Sequence, residues 1–324
     1  MSIKKKENFD DFKKLEYIET TGTQYIDTGY FPNPTTTKIE TRFSLTNNTV
    51  IIQRIFGARD NPKSVSPGSC NIFFNVNQDK IRLDWTGKLL TKYVNLNEEI
   101  TLICINNKAT VIQNGVSTEQ IGSEKLTTKL PYSMYIGTFN NAGTVDGIGA
   151  YAKWENFKIY DENNNLVMRM IPCYRKSDGE IGMYDLVNNK FYTNRGTGTF
   201  IKGPDVLFDY EEFYNNYVTI PNSDVGRYAI KLEPNTSYIV RTNLQFIPYG
   251  QSNPSSKVFV ISGSNTIWTP STSLNGVLPD KPRTITTNSQ GYMCIGIYVT
   301  GAYVVNKSEF EDDTAWVKIE KAEN

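Results

Sequence analysis

The segment 157–200 constrains the fold of this chain most strongly, because strand and turn signals follow one another in it without a gap. Polar residues at 161–165 favour a turn, and Pro172 ends the apolar strand that follows, since proline has no N–H to donate to a β-ladder. The runs 183–187 and 190–193 then face each other across a short loop of asparagines, which is suited to a type I′ hairpin. The segment therefore predicts consecutive antiparallel strands.

The same strand pattern runs through most of the chain. In the run 37–45, alternation with period two places Ile39, Phe43 and Leu45 on one face of a predicted strand. Similar runs recur at intervals of about 8–15 residues without a convincing helical period, which is typical of an all-β sandwich. The stretch 207–217 alone has some helical spacing, and we interpret it as a short linker helix or an irregular connector.

A chain of 324 residues is long for one β-sandwich and sufficient for two. Gly203, Pro204 and Asp205 form the predicted boundary, after which the strand pattern restarts. We predict two tandem β-sandwiches, divided as follows: 1–14, an N-terminal arm that is either frayed or docked on a neighbouring subunit; 15–203, the first domain; 204–217, a linker; and 218–324, a second and smaller sandwich.

Two segments of the first predicted domain also carry a resemblance. The opening segment 15–30 reads LEYIETTGTQYIDTGY, and the closing segment 171–200 reads IPCYRKSDGEIGMYDLVNNKFYTNRGTGTF. Together they resemble the ends of a concanavalin A-like (LamG-like) jelly-roll domain, over roughly 13–203. That domain type recurs in structural and tail proteins of bacteriophages and in surface proteins of gut bacteria. The turn motifs of the second half resemble small jelly-roll sandwiches of the carbohydrate-binding-module type.

The composition excludes several classes of function. The 34 basic and 34 acidic residues cancel, which argues against nucleic acid as a partner. The chain has no histidine, which removes the commonest general base and the commonest transition-metal ligand. Glucanases of the resembled fold carry paired carboxylates in a spacing such as E-x-D-x-x-E, and nothing in 13–203 matches it. We therefore expect a protein that is not an enzyme.

Targeting and cysteine signals point to a cytoplasmic site of assembly. The N-terminus lacks the apolar core of a signal peptide, and no run of about 18 apolar residues predicts a membrane span. The four cysteines are far apart and have no metal-ligand spacing, so we interpret them as buried free thiols. A reducing cytoplasm fits this pattern.

Aromatic side chains are the candidate sugar platforms, because a pyranose ring can stack its C–H groups on an aromatic face. Trp268 is the first candidate, since Ser, Thr, Asn and Pro surround it in a predicted loop. Tyr249 and Trp85 are the other candidates, although Trp85 follows an alternating strand and could instead face the core.

Acidic side chains give weaker signals. The cluster 309–313 is interpreted as a solvated turn rather than a catalytic group. Many LamG-like domains bind calcium, and Asp60, Asp84 and Asp146 lie near predicted strand ends. Because calcium loops usually concentrate their oxygen ligands more than this, we predict no cofactor and leave Ca²⁺ open.

The resemblance implies a structural protein of a bacteriophage virion, as a tail, baseplate or fibre component that presents carbohydrate-binding domains for host attachment. Its expected partners are other virion proteins, host cell-surface glycans and further copies of the chain, and its expected location is the virion, assembled in the bacterial cytoplasm. Two alternatives stay open: an architectural decoration or connector subunit that binds other virion proteins, and a bacterial surface lectin or adhesin.

Overall fold

The structure is a computed structural model in which the chain forms two compact units, Met1–Asp205 and Val206–Asn324. It describes residues 8–50, 52–60, 69–75, 80–84, 90–105, 108–121, 129–219, 225–246, 258–264, 282–299, 304–311 and 314–322.

The first unit consists almost entirely of β-strands, preceded by a short 3-10 helix (Phe9–Asp11). In chain order these strands are β1 (Phe12–Lys14), β2 (Ile18–Thr21), β3 (Ile26–Asp27), β4 (Lys38–Leu45), β5 (Ile52–Arg59), β6 (Ser69–Asn75), β7 (Lys80–Asp84), β8 (Leu90–Tyr93), β9 (Ile100–Ile105), β10 (Lys108–Gln113), β11 (Val116–Ile121), β12 (Tyr135–Ile136), β13 (Phe139–Asn141), β14 (Thr144–Val145), β15 (Tyr151–Tyr160), β16 (Leu166–Arg175), β17 (Ile181–Asp185), β18 (Lys190–Thr193) and β19 (Ile201–Lys202).

These strands form two sheets. The larger sheet has the order β11-β10-β9-β4-β15-β16-β17-β18, with β1 paired to β16, and β2 paired to β15 and β19. The smaller sheet has the order β14-β13-β5-β6-β7-β8, and β12 joins it by pairing with both β3 and β5. Nearly all neighbouring strands are antiparallel, as expected where short turns connect them.

The core of the first unit lies between the two sheets, because alternate residues of each strand point inward. Ile39, Phe43 and Leu45 are buried, as their alternation in the sequence predicts. Phe56 of β5 meets Phe157 of β15 edge to face, with ring centroids 5.1 Å apart, so side chains of both sheets belong to one core. The predicted all-β sandwich is confirmed.

The two motifs that carry the jelly-roll resemblance meet in space. Thr23 Oγ1 donates to the Thr197 carbonyl at 3.0 Å, and Gln24 Nε2 donates to the Thr199 carbonyl at 3.0 Å. A Cβ at Gly196 would lie 1.9 Å from the Thr23 carbonyl oxygen, so only glycine fits there. These motif residues therefore hold the opening and closing segments of the sandwich together.

Residues 8–14, the described part of the predicted N-terminal arm, pack on the first unit. β1 pairs with β16, and the Phe12 ring lies 4.9 Å from that of Tyr184 and 4.7 Å from that of Phe191. Phe9 joins the same group, with its ring 5.0 Å from Tyr184. The end of the arm thus contributes to a small aromatic cluster of the first unit.

The second unit is a smaller β-sandwich. Its elements in chain order are α1 (Tyr210–Asn216), β20 (Val218–Thr219), β21 (Val225–Lys231), β22 (Ser237–Thr242), β23 (Gln245–Phe246), β24 (Val258–Ser262), β25 (Arg283–Thr286), β26 (Tyr292–Tyr298), α2 (Lys307–Glu311) and β27 (Val317–Lys321). One sheet has the order β20-β21-β26-β24-β23, and the other has the order β25-β22-β27. Their inward side chains form one core, which includes Val240, Ile285, Met293, Ile295 and Ile319.

The helix α1 lies within the predicted linker 204–217. It begins at Tyr210 because Asp209 caps it, with Oδ1 accepting from the Glu211 N–H at 2.9 Å. Phe213 on this helix is buried in the core of the second unit. The structure therefore places the helical part of this segment in the second sandwich.

Three cysteines lie inside the two units. Cys104, Cys173 and Cys294 are buried, and none of the three is in a disulfide, as predicted. Burial raises the pKa of the Cys104 thiol, and burial raises that of Cys294 to about 11 against the opposing charge of Arg227. The Cys104 and Cys294 thiols are therefore held in the protonated, unreactive form.

Candidate functional site

The predicted sugar-stacking residues Trp85, Tyr249 and Trp268 all lie outside the described residues. Their assignment stays a prediction. The described part of the chain nevertheless contains an aromatic group on an outer sheet face, which was not among the candidates predicted from the sequence.

This group is built where β3 pairs with β12, with Asp27 opposite Tyr135 and Ile26 opposite Ile136. Both isoleucines are buried in the core. Because side chains alternate along a strand, Tyr25, Asp27 and Tyr135 lie on the opposite, outer face of the smaller sheet. All three are partly exposed, and we call them the tyrosine site.

The tyrosine rings stack on each other. The centroids of Tyr25 and Tyr135 are 4.8 Å apart, and the ring planes differ by 28°. The closing segment fixes the backbone beneath them, since the Tyr25 N–H donates to Asn194 Oδ1 at 3.1 Å and the Arg195 N–H donates to the Tyr25 carbonyl at 2.8 Å. On the other side of β12, the residue opposite Tyr135 is Gly57, so β5 contributes no side chain there.

Asp27 places a carboxylate beside this pair. Its Oδ1 accepts from the Gly29 N–H at 2.9 Å, whereas its Oδ2 has no hydrogen-bond partner among the described residues. No described lysine or arginine lies within ion-pair distance of it. Burial and then the charge of Asp27 raise the pKa of Tyr135, so the carboxylate is close enough to act on the ring beside it.

Several other tyrosines are covered by a lysine. A lysine ammonium lies over the ring at 4.6 Å for Tyr17, 4.3 Å for Tyr160, 4.1 Å for Tyr174, 4.2 Å for Tyr192 and 4.3 Å for Tyr292. By contrast, no described cation lies over Tyr25 or Tyr135, whose rings contact each other. The tyrosine site therefore combines partly exposed aromatic surface with a carboxylate oxygen that has no partner among the described residues.

A second polar cluster on the smaller sheet is internally paired. Asp146 Oδ2 lies 3.1 Å from Arg54 Nε and 3.2 Å from Arg59 Nη2. Asn141 accepts from Arg59 Nε at 2.8 Å. These contacts tie the β13–β14 hairpin to β5 and occupy the Asp146 carboxylate, which was one of the residues considered for calcium.

The other acidic residues considered for calcium or catalysis are described only in part. Asp60 is an exposed residue directly after β5, and Asp84 ends β7 with its side chain outside the described part. Within the described ranges, no group of three His, Cys, Asp or Glu side chains could hold a metal ion. Glu309 accepts from the Asn306 N–H at 2.9 Å at the start of α2, so the described part of the acidic cluster 309–313 forms a helical turn.

The sequence did contain a signal for the tyrosine site. In the run Tyr25-Ile26-Asp27 an apolar residue separates two amphipathic or charged ones, which is the alternation of a short strand with one buried face. What the sequence alone does not show is the second tyrosine, which lies more than one hundred positions away and reaches the first only through strand pairing.

Comparisons with known proteins give little further guidance. No protein-family model matches the chain. No curated protein matches it. Among solved structures, a Bacteroides ovatus protein proposed to bind carbohydrate is 12% identical and has a TM-score of 0.39, over 59% of this chain and 60% of that chain. At that level of similarity the match assigns neither a fold nor a ligand.

Among the described residues, no helix is long and apolar enough to cross a membrane.

Proposed function

We propose that this chain is a non-catalytic, carbohydrate-binding protein and that the tyrosine site is a place where the sugar binds. The observation that carries the proposal is the stacked Tyr25–Tyr135 pair on an outer sheet face, beside Asp27, whose Oδ2 accepts no hydrogen bond from any described residue. Aromatic rings offer an apolar face to sugar C–H groups, while a carboxylate accepts hydrogen bonds from sugar hydroxyls. Each ring is restrained by stacking on the other, so little side-chain order has to be gained on binding.

The biological setting that we propose is a bacteriophage virion, in which the chain is a tail, baseplate or fibre component. The resemblance of the opening and closing segments to LamG-like domains of phage structural proteins supports this setting. Binding to host envelope glycans, association with other virion proteins and homo-oligomerisation are parts of the same proposal. Antibody labelling of intact particles tests the setting, since attachment requires an accessible chain, whereas a connector would be covered by its neighbours.

The binding test compares variants on an array of bacterial envelope polysaccharides and defined glucans. We expect Tyr135→Ala to weaken binding about tenfold or more, by analogy with bases stacked on aromatic side chains, where loss of one ring costs about 1–3 kcal/mol. Tyr160→Ala is the matched control, since that ring lies on the larger sheet under a lysine. Trp268→Ala tests the sequence-based candidate in parallel.

Two readouts separate binding from other roles. Thermal unfolding of each variant shows whether a loss of affinity reflects a loss of structure, and an assay for reducing ends tests the non-catalytic part of the proposal. If the protein releases reducing ends and a single Asp or Glu substitution abolishes this release, the protein is an enzyme and the non-catalytic part of the proposal is wrong. If no glycan binds to the intact protein, the tyrosine site is not a sugar site, and an architectural role is favoured instead.

A further inference from the structure

The carboxylate of the tyrosine site has no counter-charge among the residues that the structure describes. Asp27 has no ion-pair partner among the described residues, whereas Asp146, directly after β14, is shared between two guanidinium groups. Electron-rich ring faces and an uncompensated carboxylate both attract positive charge. The site therefore has the electrostatic character of a cation receptor, which a platform for neutral sugars does not require.

The protein itself shows how its tyrosine rings accept an ammonium group. In the first unit, lysine ammonium groups lie over the rings of Tyr17, Tyr160, Tyr174 and Tyr192 at 4.1–4.6 Å. At the tyrosine site, no lysine of the described ranges lies over the same type of ring, and the carboxylate of Asp27 lies beside it.

We infer that the tyrosine site selects an amine-bearing sugar, whose ammonium group takes the position over the ring that a lysine fills elsewhere in this protein. The inference rests on the proposed carbohydrate-binding function and names its substrate class: glycans that contain unacetylated hexosamine. The ammonium would lie against the Tyr135 ring and the Asp27 Oδ2, and the pyranose ring would lie along the stacked pair. An acidic sugar at this position would instead be repelled by Asp27.

The probe is a pair of oligosaccharides of equal length, a glucosamine hexamer and an N-acetylglucosamine hexamer, titrated into the full chain at pH 6 by calorimetry. The free amines are charged at this pH, and the acetamides are neutral. We expect the glucosamine hexamer to bind about tenfold more tightly, as a combined cation–π and ion-pair contact predicts. Asp27→Asn should reduce this preference to within about twofold while keeping the acceptor for the Gly29 N–H.

The matched control is Glu180→Gln, which removes one negative charge from the exposed turn between β16 and β17 and should leave the preference unchanged. Equal affinity for the two hexamers, lost together in Tyr135→Ala, would overturn the amine selectivity but keep the site as a sugar site. A preference that persists in Asp27→Asn would overturn the role of the carboxylate. If neither hexamer binds but other glycans bind through Tyr135, the amine selectivity is overturned. If no glycan binds at all, the proposed carbohydrate-binding function is overturned as well.

Discussion

The two outer faces of the first sandwich differ in how their polar groups are satisfied. On the larger sheet, Lys158 is only 5% exposed and lies 3.5 Å from Glu40, which also pairs with Lys38 at 3.4 Å. The same Lys38 covers the ring of Tyr160. On the smaller sheet, the tyrosine site has stacked rings and a carboxylate that no described cation covers.

An exposed ring is therefore not by itself evidence for a binding site. Tyr160 and Tyr135 are both partly exposed residues at the ends of strands, and exposure alone does not distinguish them. Their partners do distinguish them, because a lysine covers the Tyr160 ring, whereas the Tyr135 ring stacks on Tyr25 and no described cation covers it. The comparison therefore predicts structural roles for the larger face and ligand binding for the smaller one.

The largest effect is expected where the closing segment supports the tyrosine site. Gly196→Ala should destabilise the first unit by about 3 kcal/mol or more, because the added Cβ would lie 1.9 Å from the Thr23 carbonyl and cannot be relieved by side-chain movement. It should also weaken glycan binding, since that Cβ would lie 3.1 Å from the Tyr25 ring. Urea unfolding measures the first effect.

Gly179→Ala is the control for this substitution. Gly179 has φ +75°, but a Cβ added there would meet no heavy atom within 4 Å, so only backbone strain of about 1–2 kcal/mol is expected. If Gly196→Ala were no more destabilising than Gly179→Ala, the contact between the opening and closing segments would not be the support that the tyrosine site requires.

A smaller effect is expected on the larger sheet. Glu40→Gln should destabilise the protein by about 1–3 kcal/mol, because the nearly buried Lys158 would lose the negative charge of Glu40. Glu119→Gln is the control, since its pair with Lys108 is exposed and should contribute less than about 1 kcal/mol. Chemical unfolding compares the two, and glycan binding should be unchanged in both. If Glu40→Gln is no less stable than Glu119→Gln, the ion pair of Glu40 with Lys158 does not stabilise the larger sheet.

Much of the fold followed from the sequence because its signals are local. Alternation placed Ile39 and Phe43 in the core as predicted. The prediction that Pro172 ends a strand was wrong, because Pro172 lies inside β16 opposite Met183. The predicted two-residue hairpin loop was also wrong, because β17 and β18 are joined by the four residues 186–189. The role of Gly196 was not evident, since its neighbour Thr23 is distant in the chain and the run Gly196-Thr197-Gly198 has the composition of an ordinary loop. The motifs that carry the jelly-roll resemblance proved to be contacts between the two ends of the sandwich.

The site was harder to predict because it depends on strand pairing. Tyr25 and Tyr135 come together only through the β3–β12 register, and the sequence offers no local signal for that pairing. Tryptophan in a polar loop was the stronger local signal, and it favoured Trp268 as the candidate. Asp27 was missed for a related reason: whether a carboxylate is paired depends on cations that lie elsewhere in the chain.

The smallest effect concerns stability at alkaline pH. It tests whether the negative charge of Asp27 acts on the neighbouring tyrosines. Burial and then Asp27 raise the pKa of Tyr135, while burial, Asp185 and Asp27 raise the pKa of Tyr192 to about 12. A tyrosine with a raised pKa binds its proton more tightly in the folded state than in the unfolded state. Its contribution to stability is therefore complete below about pH 10 and is lost as the pH rises towards 12.

Asp27→Asn removes one cause of both shifts without removing the hydrogen-bond acceptor for Gly29. We therefore expect wild type and Asp27→Asn to have equal urea midpoints at pH 8, and the variant to lose less stability than wild type at about pH 11. Other tyrosines with raised pKa values affect both proteins alike, so the difference between the two isolates Asp27. Glu180→Gln should follow wild type at both pH values. If Asp27→Asn and wild type lose the same stability at high pH, the Asp27 charge is screened from the tyrosine rings. The contrast between the two sheet faces would then rest on ring stacking alone.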